Sequence, residues 1–146
     1  MYVRELVITC RAKPARVGLD QARQLLTPKE SAEVFIGLLA QESVEVFGLL
    51  CLTTKYRVIG YYEVSRGTLN TTVVEPRDVF KAALLANAAC VIVGHNHPSD
   101  DPSPSPDDIA LTRRLAAAGA LLGIELVDHI VVGNNRYVSF KEMGVL

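Results

Sequence analysis

Apolar positions along this chain recur with two periods, and the places where the period switches mark its elements. Tyr2 to Cys10 reads as a strand, and residues around Leu19 to Leu26 as a short helix of ambiguous character. Thr27-Pro28-Lys29-Glu30 is a helix start, with Thr at the N-cap, Pro at N1 and Glu at N3. That helix runs to about Ala40 and places Val34, Phe35, Leu38 and Leu39 on one face. Glu45 to Leu52 is apolar after its first residue, the pattern of a strand covered on both faces and so central in its sheet. Arg57 to Val64 and Thr71 to Val74 read as strands around a loop at Gly67-Thr68-Leu69-Asn70. A helix follows Pro76, with Phe80, Ala83, Leu84 and Ala88 at helical spacing. Cys90 to Gly94 is a second buried strand that delivers His95 at its end. The prolines between Pro98 and Pro106 lack donors and require a loop. A helix runs from Pro106 to near Gly123, with an apolar stripe of Leu111, Leu115, Ala118 and Leu122. Glu125 to Val132 and Arg136 to Phe140 form a hairpin around Gly133-Asn134-Asn135. This alternation predicts an α/β fold with helices on the faces of a sheet.

A length of 146 residues suits a single domain over 1–146, with a lead-in over about 1–29 and a core over 30–146. The formal charge of −1 carries no basic field for nucleic acid or an anionic membrane. No apolar run has the length of a membrane span, which makes the cytoplasm the default compartment. Cys10, Cys51 and Cys90 are odd in number, far apart and set in apolar surroundings, so they read as buried free thiols.

The chemistry concentrates between His95 and Asp108. His95 and His97 lie two residues apart, so in extended chain their imidazoles point the same way. Asp108 falls in the first turn of the following helix, where the helix dipole favours its ionised form. Two imidazoles and a carboxylate make a three-donor zinc set with one position left for water. Ser105, three residues before Asp108, has a capping explanation of its own: Ser at the N-cap and Asp at N3. Metal-assisted hydrolysis also needs a proton carrier. Spacing alone leaves Glu42, Glu45 and Glu75 as near equals for that task.

Glu45-Val46-Phe47-Gly48-Leu49-Leu50, His95-x-His97-Pro98 and Ser105-x-x-Asp108 resemble the JAMM motif of the JAB/MPN metalloproteases. The wider text is similar to the bacterial RadC-like branch. The matching stretches are Gly67-Thr68-Leu69-Asn70, Pro76-Arg77, His95-Asn96-His97-Pro98-Ser99, Leu126-Val127-Asp128-His129 and Arg136-Tyr137-Val138-Ser139. The resemblance covers roughly residues 30 to 146 and implies a mixed β-sheet flanked by helices, a cytidine-deaminase-like architecture. It implies zinc on His95, His97 and Asp108, Glu45 as general acid/base, and Ser105 as a stabiliser of the oxyanion. It also implies a peptide or protein substrate, an isopeptide next to a ubiquitin-like protein included. Longer relatives carry an N-terminal helix-hairpin-helix region for which this chain has no room. The family usually has Gly after Ser99, whereas this chain has Asp100 and Asp101, whose charge would oppose anionic substrates or compete for the metal.

Other residues have plainer explanations. His129 reads as a core or hairpin histidine, with a supporting role left open by the resemblance. Thr68 and Asn70 fit turn chemistry or a cleft lining. Arg113 and Arg114 suit a solvated helix face, and Tyr61-Tyr62 suits strand packing or an interface. The leading reading is a zinc-dependent metallohydrolase. The alternatives are a non-catalytic protein-binding module of MPN type and a DNA-repair-associated protein, with oligomeric state left open.

Overall fold

A computed structural model describes residues 2–5, 7–9, 11, 23–67 and 74–146. Its elements are α1 (Pro28–Leu39), β1 (Val46–Leu52), β2 (Val58–Arg66), α2 (Pro76–Leu85), β3 (Cys90–Asn96), α3 (Pro106–Leu122), β4 (Glu125–Gly133) and β5 (Arg136–Ser139). The strands form one mixed sheet in the order β2-β1-β3-β4-β5. Among the described strands only β3 and β4 run parallel, and α3 supplies the crossover a parallel pair requires. This is the expected mixed α/β sheet flanked by helices.

All seven residues of β1 and all seven of β3 are buried, as their unbroken apolar runs predict. Alternate side chains still divide between two cores. Val46, Leu50, Leu52 and Ile92 pack with Phe35 and Leu39 of α1. Phe47, Leu49, Val91 and Val93 pack with Val79 and Phe80 of α2 and Leu115 of α3. By the same alternation His95 falls on the α2/α3 face and Asn96 on the α1 face. Gly94 admits the ring of Phe35, which lies where a Cβ would stand.

The helix starts are built as their sequences predict. Thr27 and Glu30 form a reciprocal capping box on α1, and Ser105 and Asp108 do so on α3. Gly123 closes α3 in the left-handed conformation at φ 72°. Asn134 turns the β4–β5 hairpin, also left-handed. Cys51 and Cys90 are free and buried, and burial pushes the Cys51 thiol up to about 12. Cys10 lies outside the described residues.

Some expectations are corrected. Described residues 2–5 and 7–9 form no strand, and Tyr2, Val3, Val7 and Ile8 are exposed; no described strand pairs with them. Of the ambiguous segment, Gln24 makes a bridge to Arg57 and Leu25 is buried, while 19–22 lie outside the described residues. The loop at 68–70 and most of the strand expected over Thr71 to Val74 also lie outside them. On α2 the buried face is Val79, Phe80 and Ala83; Leu84 is exposed, and Ala88 falls beyond the helix. On α3 it is Thr112, Leu115 and Gly119, and Leu122 is exposed in the last turn. No helix of the described residues is long and apolar enough to cross a membrane.

Candidate metal centre

Four elements meet at one end of the sheet. The β1–β3 register pairs Phe47 with His95, so Glu45, just before β1, lies level with His97, just after β3. The His97 amide donates to the Val132 carbonyl at 2.8 Å, which carries the chain past the strand end in register with β4. Asp108 approaches from the first turn of α3.

Glu45, His95, His97 and Asp108 each present a donor atom, all within 4.8 Å of one another. The Asp108 oxygens lie 3.3 Å from His95 Nε2 and 3.3 Å from His97 Nε2. The two Nε2 atoms are 3.1 Å apart. Tetrahedral zinc with bonds near 2.0–2.1 Å separates its donors by about 3.3–3.4 Å. Each histidine faces a different Asp108 oxygen, so the three residues gather close to this spacing around one point, and their chemistry suits a divalent ion. Glu45 Oε1 stands further off, 3.9 Å from His95 Nε2, with its side chain 44% exposed.

The two explanations of Ser105 and Asp108 prove compatible. Asp108 Oδ2 accepts from the Ser105 amide at 2.8 Å, and the Asp108 amide donates to Ser105 Oγ at 3.1 Å. The capping box thus holds the carboxylate in the orientation that faces the histidines.

Geometry also separates the three glutamates. Glu42 forms a paired bond with Arg66 at 2.7 and 3.1 Å, and Glu75 takes Arg114 at 2.9 Å. Glu45 alone of the three joins the cluster. Its backbone is fixed on both sides. The Gly67 amide donates to the Glu45 carbonyl at 2.7 Å, and the next amide, Val46, donates to Asn96 Oδ1 at 2.7 Å. Asn96 Nδ2 donates in turn to the Val44 carbonyl at 2.9 Å.

Neither carboxylate of Asp100 and Asp101 is among the donors of the cluster. Asp101 Oδ1 accepts from the Ser103 amide, and the Asp101 carbonyl faces His97 Nδ1 at 2.8 Å. Asp100 sits at φ 67°, a conformation natural to Gly and tolerated by Asp. That accounts for Asp at a place where Gly is usual. The Asp100 carbonyl accepts from Arg136 at 2.6 Å and comes within 2.6 Å of where a Gly133 Cβ would stand. Gly133 therefore lets the loop close down on β4.

The sequence reading left two neighbours of the cluster unresolved or unseen. His129 is a core histidine, fully buried, and it also reaches the site: its Nε2 is 2.7 Å from His95 Nδ1. Thr112, a polar residue on the buried face of α3, lies 2.6 Å from His129 Nδ1. The preceding Asp128 faces the other way and accepts from Ser139 Oγ and the Lys141 amide. Arg113 and Arg114 are exposed, as expected, and Tyr61 packs against Gly48 in strand packing. Thr68 and Asn70 lie outside the described residues.

Electrostatics favour a cation here. Burial alone would raise the Asp108 carboxyl, but the facing His95 and His97 imidazoles and the Ser105 amide outweigh it and hold it far below the usual carboxylate range. The Asp108 carboxylate raises His97, against its own partial burial. Burial drives His129 well down, which keeps it neutral.

The model of the RadC-like JAB domain matches residues 25–145. The chain belongs to the RadC-like JAB domain family. It is similar to UPF0758 proteins of Clostridium beijerinckii, at 45% identity over 123 residues, and of Methanosarcina barkeri, at 44% over 125. These alignments cover 84% and 86% of this chain and 54% and 55% of the relatives. A UPF0758 protein of Shouchella clausii is 49% identical over 118 residues, 81% of this chain and 51% of its own. The chain thus spans about half the length of the curated relatives it matches. The RadC-like match reaches from just before α1 to the penultimate residue and includes every member of the cluster.

Proposed function

We propose that this RadC-like domain is a zinc-dependent metallohydrolase that cleaves a peptide or isopeptide bond. The observation that carries the reading is the convergence of donor atoms of His95, His97, Asp108 and the half-exposed Glu45 within 4.8 Å of one another. His95, His97 and Asp108 would hold the ion, and zinc suits an imidazole and carboxylate set. Bound there, zinc would supply Lewis-acid polarisation and acidify water within its reach.

The chain's own residues would do the rest. Glu45 is solvent-accessible and close to the donors, placed to take a proton from water and return it to the leaving nitrogen. Its fixed backbone spares the cost of orienting it in each turnover. Ser105 Oγ accepts from the Asp108 amide and keeps its own proton to donate, so it can support the capping box and an oxyanion together. A peptide or protein substrate, conjugates of ubiquitin-like proteins included, follows from the family resemblance.

The test is zinc content and hydrolysis for the wild type beside two variants. Wild type is expected to hold about one zinc per chain. Asp108→Ala loses the metal, while Glu45→Gln keeps it and loses turnover by at least about 100-fold. A wild type without metal refutes the reading. Full turnover in Glu45→Gln removes Glu45 from its role, and zinc without hydrolysis of any peptide or isopeptide substrate supports a protein-binding module instead.

A further inference from the structure

We propose that Thr112 and His129 form a hydrogen-bonded relay that fixes His95 with its proton on Nδ1 and its Nε2 lone pair facing the metal position. Thr112 and His129 are then positioning residues, and the inference rests on the metal-site reading above. Three short contacts build the relay. Thr112 Oγ1 lies 2.7 Å from the Asp108 carbonyl oxygen and 2.6 Å from His129 Nδ1. His129 Nε2 lies 2.7 Å from His95 Nδ1.

The proton positions follow from which atoms can donate. A carbonyl oxygen has no proton, so two oxygens 2.7 Å apart need the one hydroxyl proton of Thr112 between them. Thr112 can therefore only accept from His129, which puts the His129 proton on Nδ1. A neutral His129 then has a bare Nε2, which can only accept. The proton in the 2.7 Å contact must come from His95 Nδ1. His95 Nε2 is left as a lone pair, directed at Asp108 and His97. His97 reaches the same state by a shorter route, because its Nδ1 donates to the Asp101 carbonyl at 2.8 Å. The relay contacts span 2.6–2.7 Å, whereas those among His95, His97 and Asp108 span 3.1–3.3 Å. The first set is the length of short hydrogen bonds; the second is close to the spacing of donors around an ion.

The relay is built to hold one setting. His129 is fully buried, stacked on Phe140 at 4.6 Å and edge-on to Phe47 at 5.4 Å, so aromatic rings pack against it on two sides. Thr112 is fully buried on a helix whose first turn carries Asp108. One helix therefore supplies a carboxylate donor directly and, one turn later, sets the tautomer of the opposing imidazole. A neutral imidazole in this place, instead of a carboxylate, orients His95 without adding negative charge behind it.

The experiment uses metal-free protein labelled with ¹⁵N in histidine, at a pH where the imidazoles are neutral. Long-range ¹H–¹⁵N correlation is expected to show the Nδ1–H form for His95, His97 and His129. Thr112→Val should convert His95 and His129 to a mixture of forms and weaken Zn²⁺ binding by about 10–100-fold in a chelator competition. Thr112→Ser should restore both readouts. An Nε2–H form of His95 in the wild type overturns the proposal, as does Thr112→Val with unchanged tautomers and affinity. If Thr112→Val does not fold, the wild-type spectrum decides alone. Failure of the metal reading is a separate result: a relay present in the spectrum, with no zinc bound by the wild type.

Discussion

Asp108 is, at the scale of single residues, both a helix cap and a candidate cation ligand, and His97 registers its proximity. The Asp108 carboxylate beside it raises the His97 imidazole above its ordinary value of 6.5. Zinc must displace that proton, so affinity is full above the raised value and weakens below it by about tenfold per pH unit. Competition titrations from pH 8 to pH 5 should show this slope, and His97→Ala, though weak in binding, should lose the part of it that belongs to His97. A flat profile would mean that His97 is no ligand. Asp100 makes a second residue-scale case. Its left-handed backbone suits Gly or Asp, so Asp100→Gly should leave stability unchanged or raise it by up to about 1 kcal/mol. Asp100→Val should cost about 1–2 kcal/mol in urea unfolding, because a β-branched side chain resists that conformation.

Asn96 binds two elements together, β3 to the chain entering β1. Fully buried, it accepts from Val46 and donates to Val44, and these bonds hold Glu45 level with His97. Asn96→Leu removes both and strands a buried amide and a carbonyl, at a cost on the order of 2 kcal/mol or more. Its expected signature is retained zinc with a fall in kcat, since the donors stay and Glu45, the proposed proton carrier, loses its register. Loss of zinc with unchanged kcat per bound metal would contradict that assignment. Elements of this kind mark the limit of what the sequence reveals. The buried runs of β1 and β3, the capping boxes at Thr27 and Ser105, and the His95, His97, Asp108 spacing were all legible, because each is a local pattern. Thr112 was not, because apolar periodicity passes over a threonine: the stripe of Leu111, Leu115, Ala118 and Leu122 finds Leu115 at the buried centre but not the polar residue beside it. The place of Glu45 in the cluster, over Glu42 and Glu75, was open to resemblance but not to spacing, since it follows from strand register and the Arg66 and Arg114 pairings.

Across the whole molecule, one ion would tie together parts that the fold brings close but joins weakly. The donors come from the end of β3, the loop after it and the start of α3, and Glu45 adds the lead-in to β1. Their donor atoms lie 3.1–3.3 Å apart. A cation can engage all of them at once only in the folded chain, so binding must stabilise the fold. At a free zinc concentration 100 times Kd the gain is about 2.7 kcal/mol, which corresponds to roughly 5–10 °C in Tm for a chain of this size. Scanning calorimetry with zinc and with chelator should show that difference in the wild type and in Glu45→Gln. His95→Ala and Asp108→Ala should unfold at one temperature under both conditions, whatever their intrinsic stability. The comparison separates a ligand from a merely structural residue, because the chelator-sensitive increment cancels the cost each substitution imposes on the metal-free fold.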